Sequence, residues 1–227
     1  MSTQGFDPVD LVAVVFFFAA WCIYSWLVDF SRWRDRSISH RMITFRRHWM
    51  LNMVARDLRM VDALILNSLQ QGVLFFASTS ILLIGGLLAG IGSTDAAMRV
   101  LGDIPFSSTN TSTEWEVKVM LLVFIFMFSF FKFAWSYRLF NYVIIMIGAA
   151  PETGKGGTPD TNFAEKVAQL HAIGARHFTA GLSGYFFALG ALAWFVNGWA
   201  FMIATVWVSL VLFRRAFRSN FMKTLEP

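Results

Sequence analysis

Residues 11–28 read LVAVVFFFAAWCIYSWLV, a run of eighteen residues without a charge. As an α-helix this run is about 27 Å long, which nearly matches the hydrocarbon core of a bilayer. Asp7 and Asp10 precede it and basic residues follow it, so it lacks the basic leader of a cleaved signal peptide. The run therefore predicts an uncleaved membrane-spanning helix with its N-terminus outside.

The composition of the 227 residues agrees with a lipid environment. Hydrophobic residues make up 56% of the chain and charged residues only 15%, whereas soluble domains carry about 25% charged residues. The 25 Phe, 9 Trp and 11 Met exceed what the interior of one 25.7 kDa globule can hold. A soluble domain is therefore excluded, and the single Cys22 allows no intrachain disulfide and no cysteine-bound metal framework.

Further apolar stretches follow the first. Together they predict an all-α, polytopic transmembrane helical bundle that forms one integral membrane domain over residues 1–227. The predicted spans are residues 11–28, 63–92, 117–147, 178–196 and 199–213. The last two form a hairpin around Asn197 and Gly198, a pair that is typical of tight turns.

The distribution of charge predicts the orientation of these spans. Of the 19 Lys and Arg residues, 16 fall in the segments 29–62, 138–177 and 214–227. Arg99 and Lys118 lie on the other side, among six acidic residues. Cytoplasmic loops are enriched in basic residues, the positive-inside rule. We therefore expect five spans, N-terminus out and C-terminus in, in a bacterial inner membrane.

Two inner segments predict cytosolic amphipathic helices, at about residues 39–60 and 162–177. The second is expected to begin at Asn162, with Glu165 completing a capping box. The first predicts contacts with anionic lipid headgroups, for which the candidates are Arg41, Arg46, Arg47, Trp49 and Arg59. An ordinary interfacial helix that satisfies the positive-inside rule explains the same pattern and is the favoured interpretation.

Polar side chains within the spans are few, and each is costly in lipid. The second span presents Asn67, Gln70 and Gln71, and the third presents Ser129, Lys132, Ser136, Arg138 and Asn141. Two such stripes that face each other would form a cationic, hydrated pathway. An equally favoured interpretation is that Lys132 extends to the headgroups while the amides join helices through hydrogen bonds.

The residues predict no reaction. The cores of the spans lack the carboxylates that proton-coupled transport and aspartyl proteolysis need, and Asp62, at the start of the second span, has Arg59 as its expected partner. The motif Gly-Leu-Ser-Gly at 181–184 resembles that of rhomboid proteases, but no His follows Ser183. The spacing of the four histidines is not that of a helical metal pair, although pairing between helices leaves a haem or metal site open. We expect no enzyme activity, no cofactor, no metal site and no nucleic-acid partner.

Small residues on the second span predict close helix neighbours. Gly86 with Gly90, and Gly85 with Ala89, place small side chains on two faces of this helix. One adjacent helix does not need two such faces, so we expect a homo-oligomer in contact with the lipid bilayer.

The segments 48–57, 67–90, 128–141 and 185–215 together resemble the domain-of-unknown-function family numbered 599, which comprises multi-spanning membrane proteins of bacteria and plants. The resemblance covers nearly the whole chain. It implies an integral membrane protein without an assigned reaction, whose matching polar positions are Arg56, Asp57, Asn67, Arg138 and Asn141. Lys132 is not part of that pattern.

These observations favour a passive channel or transporter-like conduit for ions, anions above all, or for small polar solutes. The alternative is a non-catalytic accessory or scaffolding subunit of a larger membrane complex. The candidates for a pathway or polar network are Lys132, Ser129, Ser136, Asn67, Gln70, Gln71, Arg138, Asn141, Arg56 and Asp57.

Overall fold

The computed structural model describes residues 8–29, 37–92, 111–151, 158 and 160–217. Every regular element in these residues is helical, so the all-α prediction is confirmed. The helices are α1 (Pro8–Asp29), α2 (Ile38–Ala55), α3 (Met60–Gly92), α4 (Ser112–Gly148), α5 (Thr161–Ala191) and α6 (Gly198–Phe217). A short 3-10 turn, Leu192–Phe195, follows α5.

Five segments of the described chain are long and apolar enough to cross a membrane, which confirms the prediction of five spans. They are Pro8–Val28, Met60–Gly92, Ser112–Gly148, Thr161–Phe195 and Gly198–Phe217. We call the end of the bundle at which α2 lies the basic end. There α2 contacts the start of α5, and the residue before α3 contacts the end of α4. The last turn of α6 carries Arg214 and Arg215. The orientation of this end in a membrane stays a prediction.

The segment 162–177, predicted as a cytosolic helix that leads into the fourth span, is the first part of one longer helix and not a separate element. α5 runs without a break from Thr161 to Ala191, so the segment continues directly into the fourth span. Gly174 lies inside this helix, where its missing side chain leaves room for the ring of Phe140 on α4. The helix is capped by Asp160, whose carboxylate accepts a hydrogen bond from the Phe163 N–H at 2.9 Å, and not by the predicted box.

The predicted helix at 39–60 is observed as α2. It begins after Ser37, whose hydroxyl accepts a hydrogen bond from the His40 N–H, and it ends at Ala55 because Arg56 has extended backbone geometry. One side of α2 buries Met50, Met53 and Val54 against α4 and α5. α2 is therefore part of the folded bundle and covers its basic end.

Aromatic side chains fill the core between α1, α5 and α6. Phe17 and Trp21 of α1 contact Phe187 of α5, with ring centroids 5.7 and 5.4 Å apart. Phe201 of α6 stacks on Trp194 at 5.3 Å. α4 packs most extensively against α5 and next against α3, and Phe76 of α3 also contacts Tyr185 of α5. At the basic end, α1, α2 and α5 border a common cavity.

Candidate functional site

A cleft with a volume of about 290 Å³ opens at the basic end between α1, α2 and α5. Its cationic or cation-forming side chains are His40 and Arg46 of α2 and Arg176 of α5. Its hydroxyl groups belong to Tyr24, Ser25, Ser37, Ser39, Thr179 and Ser183, and Gln169 adds an amide. We call this cavity the basic cleft.

The described lining of the basic cleft carries positive charge without a carboxylate. Among the described residues that line it, none is Asp or Glu. Arg46 is half-buried and donates a hydrogen bond to the Ser39 carbonyl oxygen at 3.4 Å, and burial lowers the pKa of its guanidinium below the ordinary value. Arg176 makes no hydrogen bond or ion pair within the described part of the chain. An anion is therefore the ligand that fits this lining.

Three of the five predicted headgroup residues are used for contacts within the protein. Arg47 forms an ion pair with Glu165 of α5. Arg59 donates hydrogen bonds to the carbonyl oxygens of Ala150 and Pro151, both at 2.6 Å. Trp49 donates its indole N–H to Asp62. Of the remaining two, Arg41 is half-buried on α2 and Arg46 lines the basic cleft.

Asp62 joins α2 to the start of α3. Its side chain is 0% exposed, and its Oδ1 accepts hydrogen bonds from Trp49 Nε1 at 2.7 Å and from Arg56 at 3.0 Å. Arg56 thus takes the place expected for Arg59, which bonds instead to the end of α4. Asp57 is exposed. Arg56 and Asp62 therefore form an ion pair that connects the end of α2 to the start of α3.

The candidates on α4 point in several directions. Ser129 and Ser136 are buried against α5, where Ser136 Oγ donates a hydrogen bond to the Gly174 carbonyl oxygen at 2.8 Å. The Lys132 ammonium lies 5.3 Å from the centroid of the Phe128 ring on the same helix. The exposed Arg138 donates a hydrogen bond to the Tyr142 hydroxyl at 2.7 Å.

The candidates on α3 are divided between two faces. Gln70 is buried and donates a hydrogen bond to the Asn141 side-chain oxygen of α4 at 2.8 Å. Asn67 and Gln71 are exposed. The two predicted stripes therefore meet at Gln70 and Asn141, but the full candidate set does not surround one axis within the chain.

Two charged residues that the sequence places in outer loops are buried at the end opposite α2. Asp10 is 5% and Lys118 is 1% exposed, and Asp10 Oδ1 accepts a hydrogen bond from Trp194 Nε1 at 2.9 Å. The Lys118 ammonium lies 5.6 Å from the centroid of the Trp194 ring.

His171 is the most buried of the histidines. Its ring stacks on Phe140 at 5.1 Å and contacts the Trp49 edge, and neither ring nitrogen has a hydrogen-bond partner. In the part of the chain that the structure describes, no group of three His, Cys, Asp or Glu residues is arranged to hold a metal ion. His171 is therefore a core side chain behind the basic cleft.

A family model described as "Protein of unknown function, DUF599" matches residues 12–221. The chain belongs to this family. The DUF599 match covers nearly all of the six helices and confirms the resemblance seen in the sequence. Comparisons with curated proteins and with solved structures find no match.

Membership of the DUF599 family and five apolar helices together indicate a multi-pass membrane protein. Within this DUF599 chain, the buried polar contacts at Asp62, Asp10 and Gln70 join helices to one another. The guanidinium groups of Arg46 and Arg176 instead border open space. The basic cleft is therefore the part of the described structure whose chemistry suits a ligand.

Proposed function

We propose that this protein is a transporter-like conduit for anions and that the basic cleft is its binding site. The observation that supports the proposal is the charge of the lining, in which Arg46 and Arg176 are accompanied by hydroxyl groups and, among the described residues, by no carboxylate. Arg46 is half-buried and Arg176 is exposed. A half-buried guanidinium that no described carboxylate faces favours a negatively charged ligand. Arginine also matches phosphate and carboxylate groups in geometry.

The basic cleft is separate from the polar stripes that were predicted on α3 and α4. Ser129 and Ser136 are buried in the packing of α4 against α5, and Gln70 bonds to Asn141. These side chains hold helices together. The basic cleft lies on the other side of α5, where hydroxyl and amide groups border a cavity. An anion that enters there would meet Arg176 before it met the aromatic core.

Reconstitution into proteoliposomes tests this function. We expect the protein to release trapped inorganic phosphate, or to move fluorescent phosphatidylglycerol between leaflets, faster than protein-free vesicles do. Arg176→Gln should lower the rate about tenfold, because a hydrogen bond to a charged group contributes about 1.5–3 kcal/mol. Arg138→Gln is the matched control, since that exposed guanidinium bonds to Tyr142 outside the cleft. A wild-type protein that moves neither anion under any imposed gradient contradicts the conduit.

The outward face of α3 favours a second function, that of a scaffolding subunit that assembles through this helix. Asn67, Gln71 and Ser78 are exposed there. A Cβ atom added at Gly85 or Gly86 would meet no atom within 4 Å. Amides at a lipid-facing surface gain from a partner helix that supplies hydrogen bonds, and small residues allow that helix to come close. The partner we propose is a second copy of the chain, because an amide both donates and accepts.

Cross-linking in native membranes tests this assembly. Replacing Asn67 and Gln71 with Leu should reduce the cross-linked dimer, because the interhelical hydrogen bonds are lost. Asn52→Leu, which removes an exposed amide on α2, should leave the dimer unchanged. A wild-type protein that is monomeric in lipid nanodiscs at every concentration contradicts the scaffold.

We further propose that the protein lies in a bacterial inner membrane with its basic end in the cytoplasm. The location of 16 of the 19 Lys and Arg residues supports this orientation. Green fluorescent protein fused to the C-terminus should fluoresce, and alkaline phosphatase at the same place should be inactive. The reverse pair of results would reverse the orientation.

A further inference from the structure

The basic cleft continues into a second cavity that is mainly apolar. This cavity has a volume of about 300 Å³, and it shares six lining residues with the basic cleft: Tyr24, Val28, Ser37, Ser39, Thr179 and Ser183. Beyond the shared residues its lining is apolar except for Arg215, and consists of Ile38, Phe178, Leu182, Phe186, Leu212, Arg215 and Ala216. We call it the apolar pocket. A single ligand can reach both cavities, because they have walls in common.

The charged residue and the largest apolar residues that α5 contributes belong to different cavities. Gln169 and Arg176 line the basic cleft, whereas Leu182 and Phe186 line the apolar pocket. Because an α-helix rises 1.5 Å per residue, Phe186 lies about 15 Å beyond Arg176, toward the middle of the span. The combined cavity therefore has Arg46 and Arg176 on one side and a mainly apolar lining on the other, where Arg215 of α6 adds a charge.

We infer that the ligand is an anionic phospholipid, whose phosphate lies at Arg46 and Arg176 and whose acyl chain occupies the apolar pocket. This inference rests on the proposed function, since it names the class of anion that the same site takes. Two adjoining cavities of about 290 and 300 Å³ provide separate room for a headgroup and for part of a chain. A soluble anion would leave the apolar pocket unused.

The position of the site suits a lipid. Val28 and Arg215 line it from near the ends of α1 and α6, which is the depth at which the phosphates of one leaflet lie. Arg215, whose guanidinium lies 5.7 Å from the Phe186 ring centroid, adds a third positive charge to the lining. Charge complementarity at this depth favours anionic over zwitterionic lipid.

Native mass spectrometry of the full chain, released from nanodiscs that contain phosphatidylglycerol and phosphatidylcholine, tests the inference. We expect the wild type to retain phosphatidylglycerol preferentially. Replacing both Arg46 and Arg176 with Gln should lower this retention at least about tenfold. Leu182→Trp should lower it as well, because the indole fills the apolar pocket without a change in charge. The matched controls are Arg138→Gln and Leu189→Trp, which alter exposed residues outside both cavities.

A soluble analogue of the headgroup distinguishes a site for a phospholipid from a site for a soluble phosphate compound. Glycerol phosphate should fail to displace bound phosphatidylglycerol. If it binds the wild type and Leu182→Trp equally well, the site takes a soluble anion, so the lipid inference is overturned while the anion-binding cleft stands. If neither phosphatidylglycerol nor glycerol phosphate binds in a manner that depends on Arg46 and Arg176, the inference and the proposed binding site both fail.

Photocross-linking of the unmodified protein keeps the test independent of variant folding. Phosphatidylglycerol that carries a diazirine in its acyl chain should label the segment 178–186. Labelling confined to the exposed residues of α3, with none in 178–186, contradicts occupation of the apolar pocket.

Discussion

At each end of the bundle, one buried carboxylate joins neighbouring helical segments. Asp62 accepts hydrogen bonds from Trp49 and Arg56 at the basic end. Asp10 accepts a hydrogen bond from Trp194 at the other end. A buried carboxylate is stable only while its partners remain, so the contacts of both residues are structural. The arginines of the basic cleft differ from them, because no carboxylate among the described lining residues faces them.

Asp62→Ala should destabilise the junction of α2 and α3. The substitution removes the acceptor for the Trp49 indole and for the Arg56 guanidinium, and we expect the free energy of unfolding to fall by about 1–3 kcal/mol. Asp57→Ala, at an exposed position five residues away, should have no measurable effect. Thermal unfolding in detergent compares the two, and equal midpoints would show that Asp62 does not stabilise the junction.

Trp194→Phe should weaken the opposite end. The change keeps an aromatic ring against Phe201 but removes the indole N–H that Asp10 accepts. We expect a loss of about 1–3 kcal/mol in the free energy of unfolding, because a buried carboxylate loses its donor. Trp199→Phe serves as the control, since Trp199 is 65% exposed. The account of Asp10 is wrong if both variants unfold at the temperature of the wild type.

At the scale of the elements, α4 and α5 pack closely because α5 carries glycine where α4 carries aromatic rings. A Cβ atom at Gly181 would come within 2.7 Å of the Phe133 ring, and one at Gly174 within 2.8 Å of the Phe140 ring. Phe133 is fully buried and is surrounded by Phe76, Phe178 and Tyr185. The ring therefore has little room to move, and the close approach of α4 and α5 depends on glycine.

Gly181→Ala should destabilise the protein although alanine favours helices. We expect a loss of about 1–3 kcal/mol from overpacking against Phe133. Gly86→Ala on the open face of α3 is the matched change, and it should be neutral or stabilise the monomer by up to about 1 kcal/mol. Chemical unfolding in mixed micelles gives both values. Equal effects at the two glycines would contradict the packing of α4 on α5.

The elements could be predicted from the sequence where local hydrophobicity decides them. Five apolar runs predicted the five spans because the bilayer requires a minimum length of apolar helix. The continuity of α5 could not be predicted in this way. Its first half is amphipathic because it packs against α2 and α4, and its second half is apolar, so one helix carries two patterns.

At the scale of the whole molecule, the basic cleft forms because distant segments converge at one end of the bundle. Arg46 lies on α2 and Arg176 lies on α5, so no local pattern in the sequence connects them. The sequence offered Arg41, Arg46, Arg47, Trp49 and Arg59 on equal terms as candidates for contact with anionic headgroups, and it favoured an ordinary interfacial helix. Only the fold shows that these three side chains contact Glu165, Asp62 and the end of α4.

The central claim, that the cleft attracts anions, is tested most directly by the charge selectivity of a cysteine placed in it. The substitution Thr179→Cys places a thiol in the lining of the cleft, and Cys22→Ala removes the exposed native thiol. The rates of reaction with negatively and positively charged thiosulfonate reagents give a ratio, which is compared with the ratio at the exposed Thr113→Cys. We predict that this ratio favours the anionic reagent at least about tenfold more in the cleft than at position 113. The difference should disappear when Arg46 and Arg176 are replaced with Gln. The same ratio at both cysteines, or a preference for the cationic reagent in the cleft, would contradict an anion-binding site.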